Sequence, residues 1–460
     1  MLFHTHVFLL LFLPLTLGAY YLFAERRAVR MWLLIAASLA FYGYWDLRFV
    51  PLLIGSVCAN WLLANACDRS SRRFVIPAGV VLNLAIIGAF KYADFFAGNL
   101  GWLFDWQHDP WNVILPLGIS FFTFQQISYL VDLRRTRAPV YGFTEYALYV
   151  TFFPQLIAGP IVRHNEIIHQ FAASPLRDGL HERLSRGLTL LVVGLFKKAF
   201  LADGLAAIAD PLFAAVTKGS VLTFAEAWAA AAAFGLQIYF DFSGYSDMAI
   251  GLGLMFGFSL PLNFNAPYVA TSIRDFWRRW HMTLSRFLRD YLYIPLGGNR
   301  FGFTRQVAAL MGAMLLGGLW HGAGWTFVVW GGLHGAALAV NHAWNHTGLR
   351  LPAAAAWAVT MLFVFICWVL FRAETFGAAA NMLMVMSGLE GWALTVEGVE
   401  RLWLIGVAAA VAVLGPTSQR AALEMLAPRR AVAVGLAAAL VFVTLKLGGG
   451  NNAEFIYFQF

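Results

Sequence analysis

Long apolar runs separated by short polar breaks set the pattern of this chain. A bilayer core asks for roughly 17–25 consecutive apolar residues per helical span. Runs that reach or approach that length lie at about 6–23, 30–46, 48–66, 74–93, 114–131 and 143–161. More follow at about 187–209, 224–256, 304–320, 322–343, 353–371, 402–415 and 431–447. Several are short or broken by Gly and Pro, and 224–256 is too long for one simple span and carries polar residues. The pattern predicts an all-α, polytopic membrane protein with roughly ten to twelve spans. No internal repeat or low-complexity linker interrupts it, so one domain over 1–460 is the simplest organisation.

The charges between the runs alternate. Arg26, Arg27 and Arg30 follow the first run, Arg69, Arg72 and Arg73 the third, and Arg134, Arg135 and Arg137 the fifth. Between them, 94–113 holds Asp94, Asp105 and Asp109 and no Lys or Arg. Later, 374–400 is acidic and 420–430 holds Arg420, Arg429 and Arg430. Because Lys and Arg accumulate in cytoplasmic loops, this order puts the basic loops inside and both termini outside. The first run lacks a basic n-region and an A-x-A cleavage site, so it reads as a retained span and not a signal peptide.

The stretch 271–300, TSIRDFWRRWHMTLSRFLRDYLYIPLGGNR, breaks the pattern by interleaving arginines with Phe, Trp and Tyr. That mixture suits a membrane interface, so an amphipathic or re-entrant helix on the cytoplasmic side is expected. The arginines admit two readings: anchors for the cytoplasmic face, or attraction for an anionic, phosphate-bearing donor.

Composition removes the soluble alternatives. Of 460 residues, 60% are hydrophobic, 16% aromatic and 12% charged. Soluble chains carry about 25% charged residues. The net charge of +8 belongs to the positive-inside bias and does not point to nucleic acid. Cys58, Cys67 and Cys367 form neither a disulfide framework nor a metal motif, so no metal is expected.

Three polar clusters in the apolar runs are the candidates for chemistry, since polar groups at membrane depth are costly. In LLGGLWHGAGWTFVVWGGLHG, His321 lies among glycines that permit close backbone approach, with Trp320 and Trp325 placed to wall off a pocket. An imidazole there can take a proton from a hydroxyl that attacks an acyl carbonyl, or it can be a packing histidine hydrogen-bonded between helices. His334 shares the glycine setting. His281, in FWRRWHMTLSRF, reads by composition alone as an interfacial histidine on a basic face. In LQIYFDFSGYSDMAIG, Gln237, Asp241, Ser243, Ser246 and Asp247 fit a proton relay or helix packing in which an Asp pairs with a buried Arg.

These residues sit in longer motifs: MLFHTHVFLLLFLPLTLGAYYL, PLGISFFTFQQISYLVD, FFPQLIAGPIVR, QIYFDFSGYSDMAIG, FNAPYVATSIRDFWRRWHMTLSRFLRDYLYIPLGGNR, GGLWHGAGWTFVVWGGLHG and the closing FIYFQF. In this order, over nearly the whole length, the chain resembles the membrane-bound O-acyltransferases. Within them it is similar to the bacterial polysaccharide O-acetyltransferases of the alginate type. The resemblance implies a ring of about 11 transmembrane helices with re-entrant helices around a central funnel, and a motif-bearing core at about 115–345. It implies that His321 of the WHG motif is catalytic. It also implies a second active-site position, histidine in bacterial subfamilies, which here is His281. Arg278, Trp280, Asn263 and Asn265 fall in matching motifs as candidate substrate contacts, beside Trp320 and Trp325.

The function expected from this resemblance is transfer of an acetyl group from a cytoplasmic thioester, acetyl-CoA or another acyl donor, to an exported polysaccharide. The expected setting is a bacterial inner membrane. No bound cofactor is expected. Periplasmic SGNH-type acetyltransferases are the expected partners and pass the acyl group onward, with membrane lipids around the chain. Two alternatives stay open: another envelope acceptor (peptidoglycan, cellulose, or teichoic acid D-alanylation), and a transporter of lipid-linked sugars. The transporter would show inverted repeats, which the chain lacks.

Overall fold

A computed structural model describes residues 1–69, 72–106, 108–396, 401–426, 429–447 and 455–456. The side chains of Cys67, Arg69, Arg72 and Arg73, the 397–400 end of the acidic segment and the 457–460 end of FIYFQF lie outside the described residues. Among the described residues every regular element is helical. With no water in a bilayer core to satisfy backbone groups, a helix keeps its hydrogen bonds internal, which suits a chain this apolar.

Among the described residues, five helices are long and apolar enough to cross a bilayer: Leu47–Ala66, Phe74–Phe104, Leu180–Thr217, Ala353–Arg372 and Arg430–Leu447. A sixth possibility is the pair Trp403–Leu414 and Ser418–Met425, bent by 66°. The other expected spans form shorter or more polar helices, such as Arg27–Gly43, Ile119–Arg135 and Gly302–His321. A count of about 11 therefore does not follow from helix length and apolarity alone.

Two expected boundaries move. The acidic loop at 94–113 is helical over its first half, because Ala93–Phe104 continues the preceding helix. Asp94 lies in the first turn of that segment, where its carboxylate accepts the backbone N–H groups of Trp111 and Asn112 and so ties down the returning chain. The expected span at 143–161 is instead broken into Phe143–Thr151 and Phe153–Leu156 and then runs without regular structure to Arg163. Pro154 and Pro160 cannot donate backbone hydrogen bonds, and Gly159 sits so close to Gln155 that a Cβ would lie 2.6 Å from its Cα.

The chain divides into two compact units. The first comprises Met1–Val192, Tyr245–Pro261 and Ala427–Gly448. Its core gathers aromatic rings from distant segments: Phe3 stacks on Tyr245 at 4.6 Å, and Phe41 lies 5.3 Å from Phe153. Polar groups there are paired, with Tyr20 and Tyr21 donating to the carbonyls of Phe256 and Met255. Asn60 and Asn83 bond to each other across two helices.

The second unit comprises Val193–Gly244, Leu262–Leu426 and Gly449–Phe460. It holds the hairpin of Gly302–His321 and Trp325–Thr347, the helix Ala353–Arg372 and the arginine-rich stretch. That stretch is two short helices, Ile273–Arg279 and Met282–Leu288, followed by a π-turn at Arg289–Tyr293. The expected amphipathic or re-entrant helix at 271–300 is thus divided in two at His281.

Candidate active site

Glycines bring the two arms of the hairpin together. A Cβ on Gly318 would lie 2.2 Å from the Phe327 carbonyl oxygen, and one on Gly331 would lie 2.2 Å from that of Met314. Only glycine allows backbones this close, as in small-residue contacts between membrane helices. His321 is the last residue of the first arm and is 4% exposed. Rings enclose it edge-on: Trp320 at 4.9 Å, Trp330 at 5.2 Å and Phe371 at 5.3 Å between centroids.

His281 sits at the break between the two short helices, with φ 40° and ψ 54°. A non-glycine residue in this left-handed region costs on the order of 1–3 kcal/mol and persists only where its surroundings hold it. Here they do. His281 is fully buried, and its Nδ1 lies 3.1 Å from Oδ1 of Asn263. That oxygen also accepts from the backbone N–H and hydroxyl of Thr283, at 3.3 and 2.9 Å. An amide oxygen carries no hydrogen and can only accept, so Nδ1 of His281 carries the proton. Its Nε2 then presents a lone pair, and it makes no hydrogen bond among the described residues. Phe242 meets the His281 ring edge-on at 4.7 Å.

The two histidines are 40 positions apart in the chain, and both lie against Trp320, at 6.1 Å from His281 and 4.9 Å from His321. The other expected site residues divide. Asn263 is buried and holds His281, a supporting place that differs from a substrate contact. Trp280 is buried among Phe264, Phe276 and Trp368. Asn265 is exposed, and its carbonyl accepts from Arg279. Trp325 is 54% exposed at the start of its helix, and Trp330, about one and a half turns on, is the second tryptophan found against His321.

Arg278 is exposed and lines a cavity of about 250 Å³ with Arg274, Trp277, Arg289, His342 and Asn345. Three guanidinium groups around a partly apolar cavity favour an anion with an apolar portion. His334 is fully buried on the same hairpin, with Nδ1 3.2 Å from the indole nitrogen of Trp277.

Asp241 pairs with a lysine, where one of the two open readings had an Asp pairing with a buried arginine. Lys198 lies 3.0 Å from Asp241 and 2.9 Å from Asp203, and all three are nearly buried. The backbone N–H of Ile456 donates to the other oxygen of Asp241 at 2.7 Å. Lys198 lies with Lys197 inside the apolar run 187–209, and the run does not say which carboxylate it meets. Asp247 belongs to the other unit, where it is fully buried.

Comparison with known proteins bears on this geometry. A family model described as "MBOAT, membrane-bound O-acyltransferase family" matches residues 75–378, more than half of the chain. A peptidoglycan O-acetyltransferase of Helicobacter pylori is 41% identical over 430 residues, covering 86% of this chain and 81% of that protein. A probable alginate O-acetylase of Pseudomonas aeruginosa is 43% identical over 407 residues, covering 86% of this chain and 76% of that protein. A teichoic acid D-alanyltransferase of Streptococcus thermophilus is 29% identical over 238 residues, covering 50% of this chain and 57% of that protein. The buried histidines lie inside the matched region, as do the broken helices and the glycine-packed hairpin. The chain belongs to the membrane-bound O-acyltransferase family and is a multi-pass membrane acyltransferase.

Proposed function

We propose that this enzyme takes an acetyl group from acetyl-CoA on the cytoplasmic side of a bacterial inner membrane and delivers it for O-acetylation of an exported polysaccharide of the alginate kind. The observation that carries the reading is the pair of buried imidazoles on Trp320, one of them held in a single tautomer. In this reading His321 is the general base. It removes the proton of the acceptor hydroxyl as the oxygen attacks the thioester carbonyl. The C–O bond forms, the C–S bond breaks, and the proton passes from the imidazole to the departing thiolate. His281 presents a lone pair at Nε2, so it assists by accepting a hydrogen bond in that proton transfer. The aromatic enclosure keeps water from the thioester. The arginine-lined cavity is the entry for the anionic end of the donor.

The near-equal identity to the peptidoglycan and alginate enzymes favours a second reading in which the same chemistry serves another envelope polymer. Under either reading the first acceptor is a side chain of a periplasmic SGNH-type partner, which passes the acyl group onward. We take 1–460 as one membrane domain, with the catalytic motifs at about 115–345; the family match draws on both compact units. The test is cellular. His321→Ala, shown to be inserted and folded, should lower polymer-bound acetate by about 10²–10⁴-fold. Acetate at the wild-type level would end the assignment, and the polymer that loses acetate identifies the acceptor.

A further inference from the structure

We propose that His334 is a positioning residue: through its hydrogen bond to Trp277 it holds that indole as the partition between the arginine-lined cavity and His321. This rests on the thioester reading above.

Trp277 stands at both places. Its side chain lines the cavity with Arg274 and Arg278, and its ring lies 5.9 Å from Trp330, which in turn lies 5.2 Å from His321. The two indoles therefore connect the cavity wall to His321 by consecutive ring contacts. A donor whose phosphates rest on the arginines must send its acyl end past them. Where the Trp277 ring stops determines where the thioester carbonyl stops.

A tryptophan wall of this kind is ambiguous unless one rotamer is chosen, and His334 makes the choice. The indole nitrogen of Trp277 can only donate, so Nδ1 of His334, 3.2 Å away, accepts. His334 itself cannot turn. It is 0% exposed, with Phe276 stacked over it at 6.2 Å and 20°, Phe363 edge-on at 5.3 Å and Trp330 at 4.6 Å. Because Nδ1 accepts, the neutral ring carries its proton on Nε2, which makes no hydrogen bond among the described residues. A leucine or phenylalanine would fill this apolar setting without the idle Nε2–H, but it would leave the buried indole N–H of Trp277 without its acceptor. The histidine is thus poorly explained by packing and well explained by the bond it gives Trp277.

The test uses the full chain in lipid nanodiscs with labelled acetyl-CoA, the periplasmic SGNH-type partner as acyl acceptor, and unlabelled CoA as the binding probe. His334→Leu removes the acceptor, Trp277→Phe removes the donor from the other side, and His334→Asn keeps an acceptor oxygen near Nδ1. We expect His334→Leu and Trp277→Phe each to lower kcat about tenfold while CoA binding changes less than about twofold. The double variant should be no worse than either single one, and His334→Asn should recover most of the rate. The proposal is overturned if both single variants turn over as wild type. It is also overturned if His334→Asn is as impaired as His334→Leu at equal thermal stability. A wild-type protein that never consumes acetyl-CoA sinks the donor reading and this proposal with it. An active wild type with unaffected variants sinks this proposal alone.

Discussion

Asn263 and His281, 18 residues apart, meet at 3.1 Å in a fully buried contact that leaves the imidazole one available nitrogen. The Asn263 amide oxygen is the hub, since it also takes both donors of Thr283. The strained backbone of His281 and the orientation of its ring therefore depend on one side chain.

Replacing that side chain separates its roles. Asn263→Leu should orphan three donors and free the His281 tautomer, with a loss of stability of about 1–3 kcal/mol and a fall in acetyl transfer. Asn263→Asp keeps the acceptor oxygen and should retain more activity than Asn263→Leu. Polymer acetate and the melting temperature of the solubilised protein report the two effects.

The arginines of the cavity should act on the donor before chemistry. Arg274→Gln combined with Arg278→Gln should raise the KM for acetyl-CoA and leave kcat nearly as it was. The wild-type KM should climb between low and high salt, and the double variant should show a flatter dependence, because exposed charges are screened over about 10 Å at 0.1 M. Steady-state kinetics at two ionic strengths checks this.

The close approach of Gly318 and Gly331 leaves no space for a methyl group, since a Cβ at either position would stand 2.2 Å from a backbone oxygen of the facing arm. Gly318→Ala should force the hairpin apart, destabilise it by about 1–3 kcal/mol and displace His321. Gly312, where a Cβ would meet only a Leu296 side-chain atom at 3.4 Å, is the control: Gly312→Ala should fold and turn over nearly as wild type. Folded yield in membranes and thermal melting distinguish the two.

Lys198 neutralises two buried carboxylates, Asp203 and Asp241. Lys198→Met should be severely destabilising, by about 3–5 kcal/mol, because it strands buried charge. Adding Asp203→Asn and Asp241→Asn to it should recover part of the loss, since the uncompensated charges are then gone. Thermal unfolding of wild type, single and triple variants orders them.

Much of this protein was legible along the chain. Apolar runs, sparse charge and alternating basic and acidic breaks sufficed for an all-helical membrane protein, because a bilayer imposes those features on any sequence that crosses it. His321 and His281 stood out along the chain as candidates, the first by its glycine setting and both by the motifs around them, and the structure places both in buried positions. What stayed hidden was which residues face them. An oily helix is apolar on every side, so periodicity does not say which ring turns inward. The sequence pointed to Trp325 as a pocket wall and gave Trp330 no role, whereas the close approach of the two hairpin arms at Gly318 and Gly331 sets Trp330 against the histidine and leaves Trp325 half exposed. Lys198 was likewise invisible as the partner of Asp241, and Asn263 as the holder of His281, because each pair is made by segments meeting in space. The sequence determined the solvent of this protein and marked two imidazoles as candidates. The tertiary contacts alone decided the walls around them, since those walls come from glycine-permitted backbone approach and no repeat along the chain encodes it.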